Sequence, residues 1–338
     1  MLLTDIWELS EYSIDLGLKI GVFATVFGLI FGVFSFFVAS YFVYVSVLRR
    51  GSHEKWGRAP SSNDADYMEL YSKGMDWHRE NIHRMEPVHI ISEGLNLYGE
   101  YYSFGAEQCV IILPGRSESL CYSYYFAMPY ARCGVDILVI DPRSHGLSEG
   151  EFSTAGFEES KDIIAWAKFA HEKYGVKDII LHGICIGAAG GMLAITSPDC
   201  PEYVSGIVTD GMFSNFGNIM RAHLTKRKQP RIFMLDLIDM WMKKYTNHSM
   251  KYGPIDVISS LDRPILMMHG TEDIFSLPEY AQKMYNICGS ENKTFVWFEG
   301  GTHSMLRPMD EYKYDSAIVN FLWENYGVTD RVLIGESV

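Results

Sequence analysis

The sequence has few of the residues that would join distant parts of the chain covalently or through a metal. Its 338 residues include only six cysteines, with no C-x-x-C pair and no cysteine–histidine cluster at metal-site spacing. A reduced domain of this size needs neither a disulfide nor a structural metal, so we predict no disulfide, no metal and no cofactor. Internal repeats and low-complexity tracts are also absent, which excludes repeat arrays and disordered chains.

Positive charge is also scarce. Lys and Arg number 29 against 42 Asp and Glu, which gives a formal net charge of −13. With that balance and no recognised nucleic-acid-binding motif, we predict no nucleic-acid partner. The hydrophobic content of 48% is high, but one uncharged run supplies much of the excess. The rest has the composition of an ordinary soluble domain, which excludes a protein with many membrane spans.

The uncharged run extends over 29 residues, Ile20–Leu48. A membrane-spanning helix needs about 20 apolar residues. Acidic rather than basic residues precede the run, which favours a retained anchor over a cleaved signal peptide. The basic residues Arg49, Arg50, Lys55 and Arg58 follow it. By the positive-inside rule, we therefore predict a single-pass membrane protein whose long C-terminal part is cytoplasmic.

Two glycines within the run, Gly28 and Gly32, form a GxxxG pattern. Such glycines let two membrane helices approach closely, so a homodimer through the span is one interpretation. The other is that glycine is simply common in membrane helices.

From about residue 86, short apolar runs alternate with longer amphipathic segments. The predicted strands are Pro87–Ile91, Leu95–Tyr102, Cys109–Leu113, Asp136–Ile140, Asp178–Leu181, Val204–Thr209, Pro264–His269 and Thr294–Phe298. Apolar strands joined by crossover helices indicate an α/β fold with a mostly parallel eight-stranded sheet covered on both faces. In such sheets, functional side chains lie beyond the carboxyl ends of the strands.

One strand end carries the motif G-x-C-x-G, from Gly183 to Gly187, with Cys185 at its centre. A strand that turns sharply into a helix needs glycines at these two positions and presents the central side chain as a nucleophile. The start of the following helix also favours a negative charge at that side chain. The alternative is a buried cysteine in a glycine-rich turn.

Two further strand ends carry an acid and a histidine. Asp273 follows the strand that ends at His269, and His303 follows the strand that ends at Phe298. A thiol nucleophile needs a base and a group that orients the base, and these residues occur in the order nucleophile, acid, histidine. We predict a Cys185–His303–Asp273 triad, with Asp210 as the alternative acid. We interpret Glu272, His145 and His182 as non-catalytic.

These motifs together resemble the α/β-hydrolase superfamily, in particular its membrane-anchored abhydrolase members. Residues 93–99 are similar to the family's first hairpin, residues 113–116 (Leu-Pro-Gly-Arg) to its oxyanion motif, and residues 141–148 to its D-x-R-G-H-G-x-S loop. The resemblance implies an α/β-hydrolase fold and an oxyanion hole made by the backbone N–H groups of Arg116 and Ile186. It covers residues 86–326.

The sequence departs from this family at the nucleophile and at the oxyanion motif. Cysteine stands where serine is usual, and Pro114 stands where the motif has histidine. The sharp strand-to-helix turn around Cys185, here called the elbow, also resembles the turns that carry a cysteine nucleophile in dienelactone hydrolases and polyhydroxyalkanoate synthases. A native cysteine and an introduced serine-to-cysteine change both remain open.

The resemblance also implies a lid over the site. Between Arg221 and Lys251, eight basic residues and two acidic ones are interleaved with Met, Trp and Phe. This pattern is typical of a helix on an anionic membrane surface, and equally of a helix packed on the core by its apolar side. The predicted organisation is an N-terminal tail (1–19), a transmembrane helix (20–48), a juxtamembrane linker and helix (49–85), and an α/β-hydrolase domain (86–330) with a short helical lid (212–260).

The predicted function is a membrane-anchored cysteine acyl hydrolase. Its substrate would be an ester or thioester with an apolar acyl group, such as a lipid or a lipidated protein. An acyltransferase that uses the same triad is one alternative. A catalytically silent scaffold that binds a lipid or a protein partner is another.

Overall fold

The chain forms an eight-stranded sheet covered by helices, preceded by one long N-terminal helix. The computed structural model describes residues 2–51, 56–60, 64–228 and 233–330. Lys55 and, in the predicted lid, Arg231 lie outside these ranges. The strands are β1 (Met85–Ser92), β2 (Leu95–Tyr102), β3 (Gln108–Leu113), β4 (Asp136–Ile140), β5 (Asp178–Ile184), β6 (Val204–Asp210), β7 (Ile265–Gly270) and β8 (Lys293–Phe298).

Helices precede, connect and follow these strands. They are α1 (Leu2–Leu48), α2 (Ala65–Asn81), α3 (Leu120–Arg132), α4 (Phe157–Tyr174), α5 (Ile186–Ile195), α6 (Phe216–Lys226), α7 (Met234–Thr246), α8 (Pro254–Val257), α9 (Pro278–Ile287), α10 (Leu306–Met309) and α11 (Glu311–Tyr326). Short 3₁₀ turns occupy Ile82–Arg84 and Ile258–Ser260.

The sheet has the strand order β1-β2-β4-β3-β5-β6-β7-β8. β2 is antiparallel to both β1 and β4, and β3 to β8 are all parallel. The central strands are mostly apolar because helices bury both faces of the sheet, and the two faces carry separate core clusters. A third cluster joins the end of α1 to α6 and α7. The predicted mostly parallel eight-stranded sheet is confirmed. Its carboxyl ends gather the loops after β3, β5, β6, β7 and β8 at one edge.

Helix α1 is longer than the apolar run, because it starts at Leu2 and includes most of the predicted 1–19 tail. Side chains 15–35 are exposed on all sides, whereas those from residue 36 onward begin to pack on the domain. Twenty-one helical residues extend over about 30 Å, the thickness of a bilayer's hydrocarbon core. Gly28 and Gly32 lie within the exposed stretch.

The C-terminal end of α1 packs against α7. The Trp241 indole N–H donates to Ser40 Oγ at 2.9 Å, and its ring packs on Phe37 and Tyr41 at centroid distances of 4.9 and 5.1 Å. Beyond the helix, the Arg50 guanidinium donates to the Ser148 and Gly146 carbonyls at 2.9 and 2.7 Å. The long helix is therefore joined to the domain by buried contacts.

Candidate active site

The turn between β5 and α5 holds Cys185 in a strained conformation, with φ 53° and ψ −108°. A Cβ on Gly183 would lie 2.4 Å from the Ala188 backbone, and one on Gly187 would lie 2.1 Å from the Leu113 carbonyl oxygen. Only glycine can occupy these two positions, as the motif predicts. This strained turn directs the Cys185 side chain away from the sheet, at the start of helix α5.

The loops after β7 and β8 bring the predicted acid and base together. His303 Nδ1 lies 2.7 Å from Asp273 Oδ2, while Asp273 Oδ1 accepts from the backbone N–H groups of Phe275 and Ser276 at 2.9 and 2.8 Å. Asp273 is buried and held on both oxygens. The imidazole therefore donates through Nδ1, and its Nε2 is left to take a proton from another group.

His303 also interacts electrostatically with Cys185, and both line the same pocket. Burial acts to lower the pKa of His303, but the interaction with Cys185 and the hydrogen bond and charge of Asp273 outweigh it. The net result is a pKa well above that of free histidine. An imidazole of this kind readily takes a thiol proton and remains stabilised as imidazolium.

The alternative acid, Asp210, points elsewhere. It ends β6, and its Oδ2 accepts from the Tyr314 hydroxyl at 3.0 Å. Burial raises the pKa of Asp210 to about 7, against the lowering effects of Tyr314 and His303. Tyr314 also lies 3.0 Å from His182 Nε2 in the core below the elbow. Asp210 therefore belongs to a buried network, whereas Asp273 is the carboxylate that orients His303.

The two backbone groups predicted for the oxyanion hole both line one pocket with Cys185. In the part of the chain that the structure describes, no hydrogen bond uses the N–H of Arg116 or of Ile186. Two free backbone donors beside a nucleophile are the arrangement that stabilises a tetrahedral oxyanion. The Arg116 guanidinium instead donates to the Val47 carbonyl at 3.4 Å, on helix α1.

The loop that carries Arg116 is fixed by His145 from the D-x-R-x-H-G segment. The Ser117 N–H donates to His145 Nε2 at 3.2 Å, while Nδ1 lies 2.8 Å from the Arg143 carbonyl. Trp56, just beyond the described end of α1, stacks on the imidazole with ring centroids 4.3 Å apart. His145 is thus the structural hydrogen-bonding residue that the sequence predicts, and it must be neutral to accept from Ser117.

The pocket has a volume of about 590 Å³. In addition to the predicted residues, its walls include side chains that the sequence did not indicate: Tyr67, Glu118, Tyr122, Phe213, Phe216, Ile219, His223, Phe275, Ser304 and Met305. Glu118 lies two residues after Arg116, so its position in the predicted oxyanion loop could have indicated that it lines the site. Tyr67 comes from the juxtamembrane helix α2, and no local pattern connects it to the site.

The predicted lid segment contains α6, α7 and α8. On α7, the side chains of Met234, Ile238, Trp241 and Met242 are buried. Two acidic residues of α7 are paired, Asp239 with Lys243 of the same helix and Asp236 with Lys251 beyond its end, each at 2.9 Å. The apolar side of α7 is therefore packed internally, as in the second of the two interpretations, and its basic side is exposed.

Among the described residues, no group of three or more His, Cys, Asp or Glu side chains could hold a metal ion. The residues that line the pocket with Cys185 include His303, Arg116 and Ile186, which the sequence predicts as the base and the oxyanion donors. These groups can activate a thiol and stabilise a carbonyl adduct with their own atoms.

Because several histidines are buried, we expect the free energy of unfolding to fall at acidic pH. Burial lowers the pKa of His145 to about 4 and that of His182 to about 3. Below pH 6.5 the unfolded chain protonates these side chains while the native state does not, so stability falls as pH falls towards 4. At pH 5, each histidine lowers the free energy of unfolding by about 2 kcal/mol relative to pH 7. His303, with its raised pKa, acts in the opposite direction.

Urea denaturation at pH 7 and pH 5 measures this effect. We expect His182→Gln to reduce the loss of stability between the two pH values by about 2 kcal/mol. The matched control is His83→Gln, at an exposed position. An equal pH dependence in wild type and His182→Gln would contradict the assignment of His182 as a buried neutral group.

Comparisons with known proteins agree with this architecture. A family model described as an alpha/beta hydrolase fold matches residues 108–242. The Pyrococcus furiosus esterase Pf2001 superposes with a TM-score of 0.61 at 19% identity, covering 73% of this chain and 93% of the esterase. The acylaminoacyl peptidase of Pyrococcus horikoshii superposes with a TM-score of 0.55 at 18% identity, covering 72% of this chain and 42% of the peptidase.

Two relatives are similar in sequence. The uncharacterised protein YqkD of Bacillus subtilis is 22% identical over 216 residues, which is 63% of this chain and 70% of that protein. The uncharacterised membrane protein YNL320W of Saccharomyces cerevisiae is 21% identical over 183 residues, 54% of this chain and 60% of the yeast protein. The match therefore covers less than two thirds of the yeast protein's length.

The sheet order and the strand-end loops are those of the α/β-hydrolase fold. The family model with that description matches residues 108–242 of this chain.

Proposed function

We propose that this protein is a membrane-anchored cysteine acyl hydrolase that acts on an ester or thioester with an apolar acyl group. The observation that carries the proposal is the convergence of Cys185, His303 and Asp273 at the elbow, beside two free backbone N–H groups. The esterase and peptidase likenesses support a hydrolase. The pocket's aromatic wall supports an apolar acyl group.

In the proposed reaction, His303 takes the thiol proton as the Cys185 sulfur attacks the substrate carbonyl carbon. The N–H groups of Arg116 and Ile186 hold the oxyanion of the tetrahedral intermediate. The intermediate collapses as His303 returns the proton to the departing alcohol or thiol, which leaves a thioester on Cys185. His303 then takes a proton from water, the hydroxide attacks the thioester, and the acid and the free thiol are released.

Membrane attachment is part of the proposal. The exposed length of α1 matches a bilayer, and a membrane protein is among the distant relatives. We place the catalytic domain in the cytoplasm because basic residues follow the apolar run. The proposed substrate is a lipid or a lipidated protein, and pairing through Gly28 and Gly32 would make a homodimer.

The test is turnover by the full chain in detergent on p-nitrophenyl esters and acyl-CoA thioesters of increasing chain length. We expect release of free acid and, by intact mass, a transient acyl adduct at Cys185. Cys200→Ala is the matched control, because Cys200 is a partly exposed thiol outside the pocket and its loss should leave the adduct in place.

Two outcomes would contradict hydrolysis. Preferred transfer of the acyl group to an added amine or alcohol, rather than to water, would make the protein an acyltransferase. If no substrate forms an adduct, and Cys185 reacts with iodoacetamide at the same rate in wild type and His303→Ala, the chain would be a binding scaffold.

A further inference from the structure

The pocket around Cys185 has two walls of different chemistry. One wall is aromatic and aliphatic: Phe213, Phe216, Ile219 and Phe275. It comes from the chain after β6 and β7, and Phe213 and Phe216 contact each other at 6.1 Å between ring centroids. A second set of lining residues, here called the polar wall, carries hydroxyl and carboxyl groups on Tyr67, Glu118 and Tyr122.

The polar wall is internally connected. The Tyr67 and Tyr122 rings stack at 5.7 Å, and the Tyr122 hydroxyl donates to the Ser304 carbonyl at 3.1 Å. Glu118 accepts a hydrogen bond from Tyr67. The hydroxyl groups of Tyr67 and Tyr122 therefore both have hydrogen-bond partners within the protein. The Glu118 carboxyl is left as the group of this wall that can bind a ligand.

Glu118 and Cys185 line the same pocket, and both approach Gly115. Its Oε2 is 2.9 Å from the point where a Cβ on Gly115 would lie, and the Cβ of Cys185 is 4.0 Å from the same point. Oε2 is buried and has no hydrogen-bond partner among the described residues. Because a buried polar oxygen without a partner is unfavourable, this atom indicates a ligand group that would satisfy it.

The protonation of Glu118 suits a neutral ligand. Burial raises the pKa of this carboxyl to about 8, against the lowering effects of the Gly115 N–H, His303, Arg116 and Tyr67. At neutral pH the carboxyl is mostly protonated, so it can both donate and accept. A hydroxyl group has the same two capacities and is its natural partner.

We propose that Glu118 is a specificity-determining residue that binds a hydroxyl on the leaving-group side of the substrate. The acyl chain and the alcohol portion of an ester diverge from the carbonyl carbon, so they contact different parts of a pocket. With the acyl chain on the aromatic wall, the alcohol portion faces Glu118. The substrate class is therefore an apolar acyl ester of a polyol, rather than of a simple alkanol. This inference rests on the proposed function.

The test compares two esters with the same acyl chain, the 2-hydroxyethyl and the ethyl ester of octanoic acid. We expect wild type to prefer the hydroxyethyl ester by at least about tenfold in kcat/KM, because only this ester fills the open position on Glu118. Glu118→Leu should remove the preference, and Glu118→Gln, which keeps a donor and an acceptor, should restore part of it. Glu118→Met repeats the test if the leucine variant fails to fold.

Glu272→Gln is the matched control, because Glu272 is an exposed carboxylate in the loop that holds Asp273. A ratio of the two esters near one in wild type, or a ratio unchanged by Glu118→Leu, would overturn the role of Glu118 and leave the hydrolase intact. If the wild type cleaves neither of these two esters and none of the esters and thioesters of the chain-length series, both proposals are overturned.

Discussion

Replacing Cys185 by alanine is expected to lower kcat on any substrate of this site by at least about a thousandfold. The variant loses the atom that attacks the carbonyl, while the oxyanion donors and the binding walls remain. The measurement is steady-state turnover of purified full-length protein, paired with intact mass to show that the acyl adduct is absent.

Cys185→Ser is the companion variant, because it keeps a nucleophile of similar size. Serine also tolerates the turn, so we expect a folded protein whose residual turnover exceeds that of Cys185→Ala. A kcat of Cys185→Ala within about tenfold of the wild-type value would mean that the reaction does not use Cys185 as its nucleophile.

Gly187→Ala is expected to have the largest effect on folding. The added Cβ would lie 2.1 Å from the Leu113 carbonyl oxygen and 2.7 Å from that of Pro114, both backbone atoms that cannot turn aside. Either the elbow or the oxyanion loop must shift, at about 3 kcal/mol or more in the free energy of unfolding. Urea denaturation measures this loss, and turnover should fall with it.

Gly191→Ala provides the matched control on the same helix. There the added Cβ would meet only the ends of three flexible side chains, the closest 3.2 Å away. We expect a change of about 1 kcal/mol or less, because those side chains can move. Equal effects at Gly187 and Gly191 would show that the tight turn at the elbow is not what requires glycine.

The sheet and the approach of His303 to Asp273 were predictable because their signals are local. Ile137–Ile140 is an uninterrupted apolar run, and the structure forms a strand over the predicted bounds Asp136–Ile140. The elbow glycines are required by contacts with the adjacent strand and the next helical turn. Each triad residue follows its strand by a few positions, so the sequence order was enough to infer where they meet.

The polar wall and the packing of α1 were not predictable, because they depend on contacts between distant segments. Tyr67 reaches the pocket from α2 only because that helix packs on α3. The Ser40–Trp241 hydrogen bond joins residues 201 positions apart, and no spacing within either helix indicates it. Hydropathy alone could not show where exposed helix ends and packed helix begins.

Because α1 is one continuous helix, its orientation and that of the domain are coupled. The helix has 47 residues, about 70 Å, and contacts near its C-terminal end with Trp241 and through Arg50 join it to the domain. Under the proposed membrane attachment, a bilayer thinner than the apolar length would tilt this helix. The domain would tilt with it, so bilayer thickness would set the angle at which the pocket faces the lipid surface.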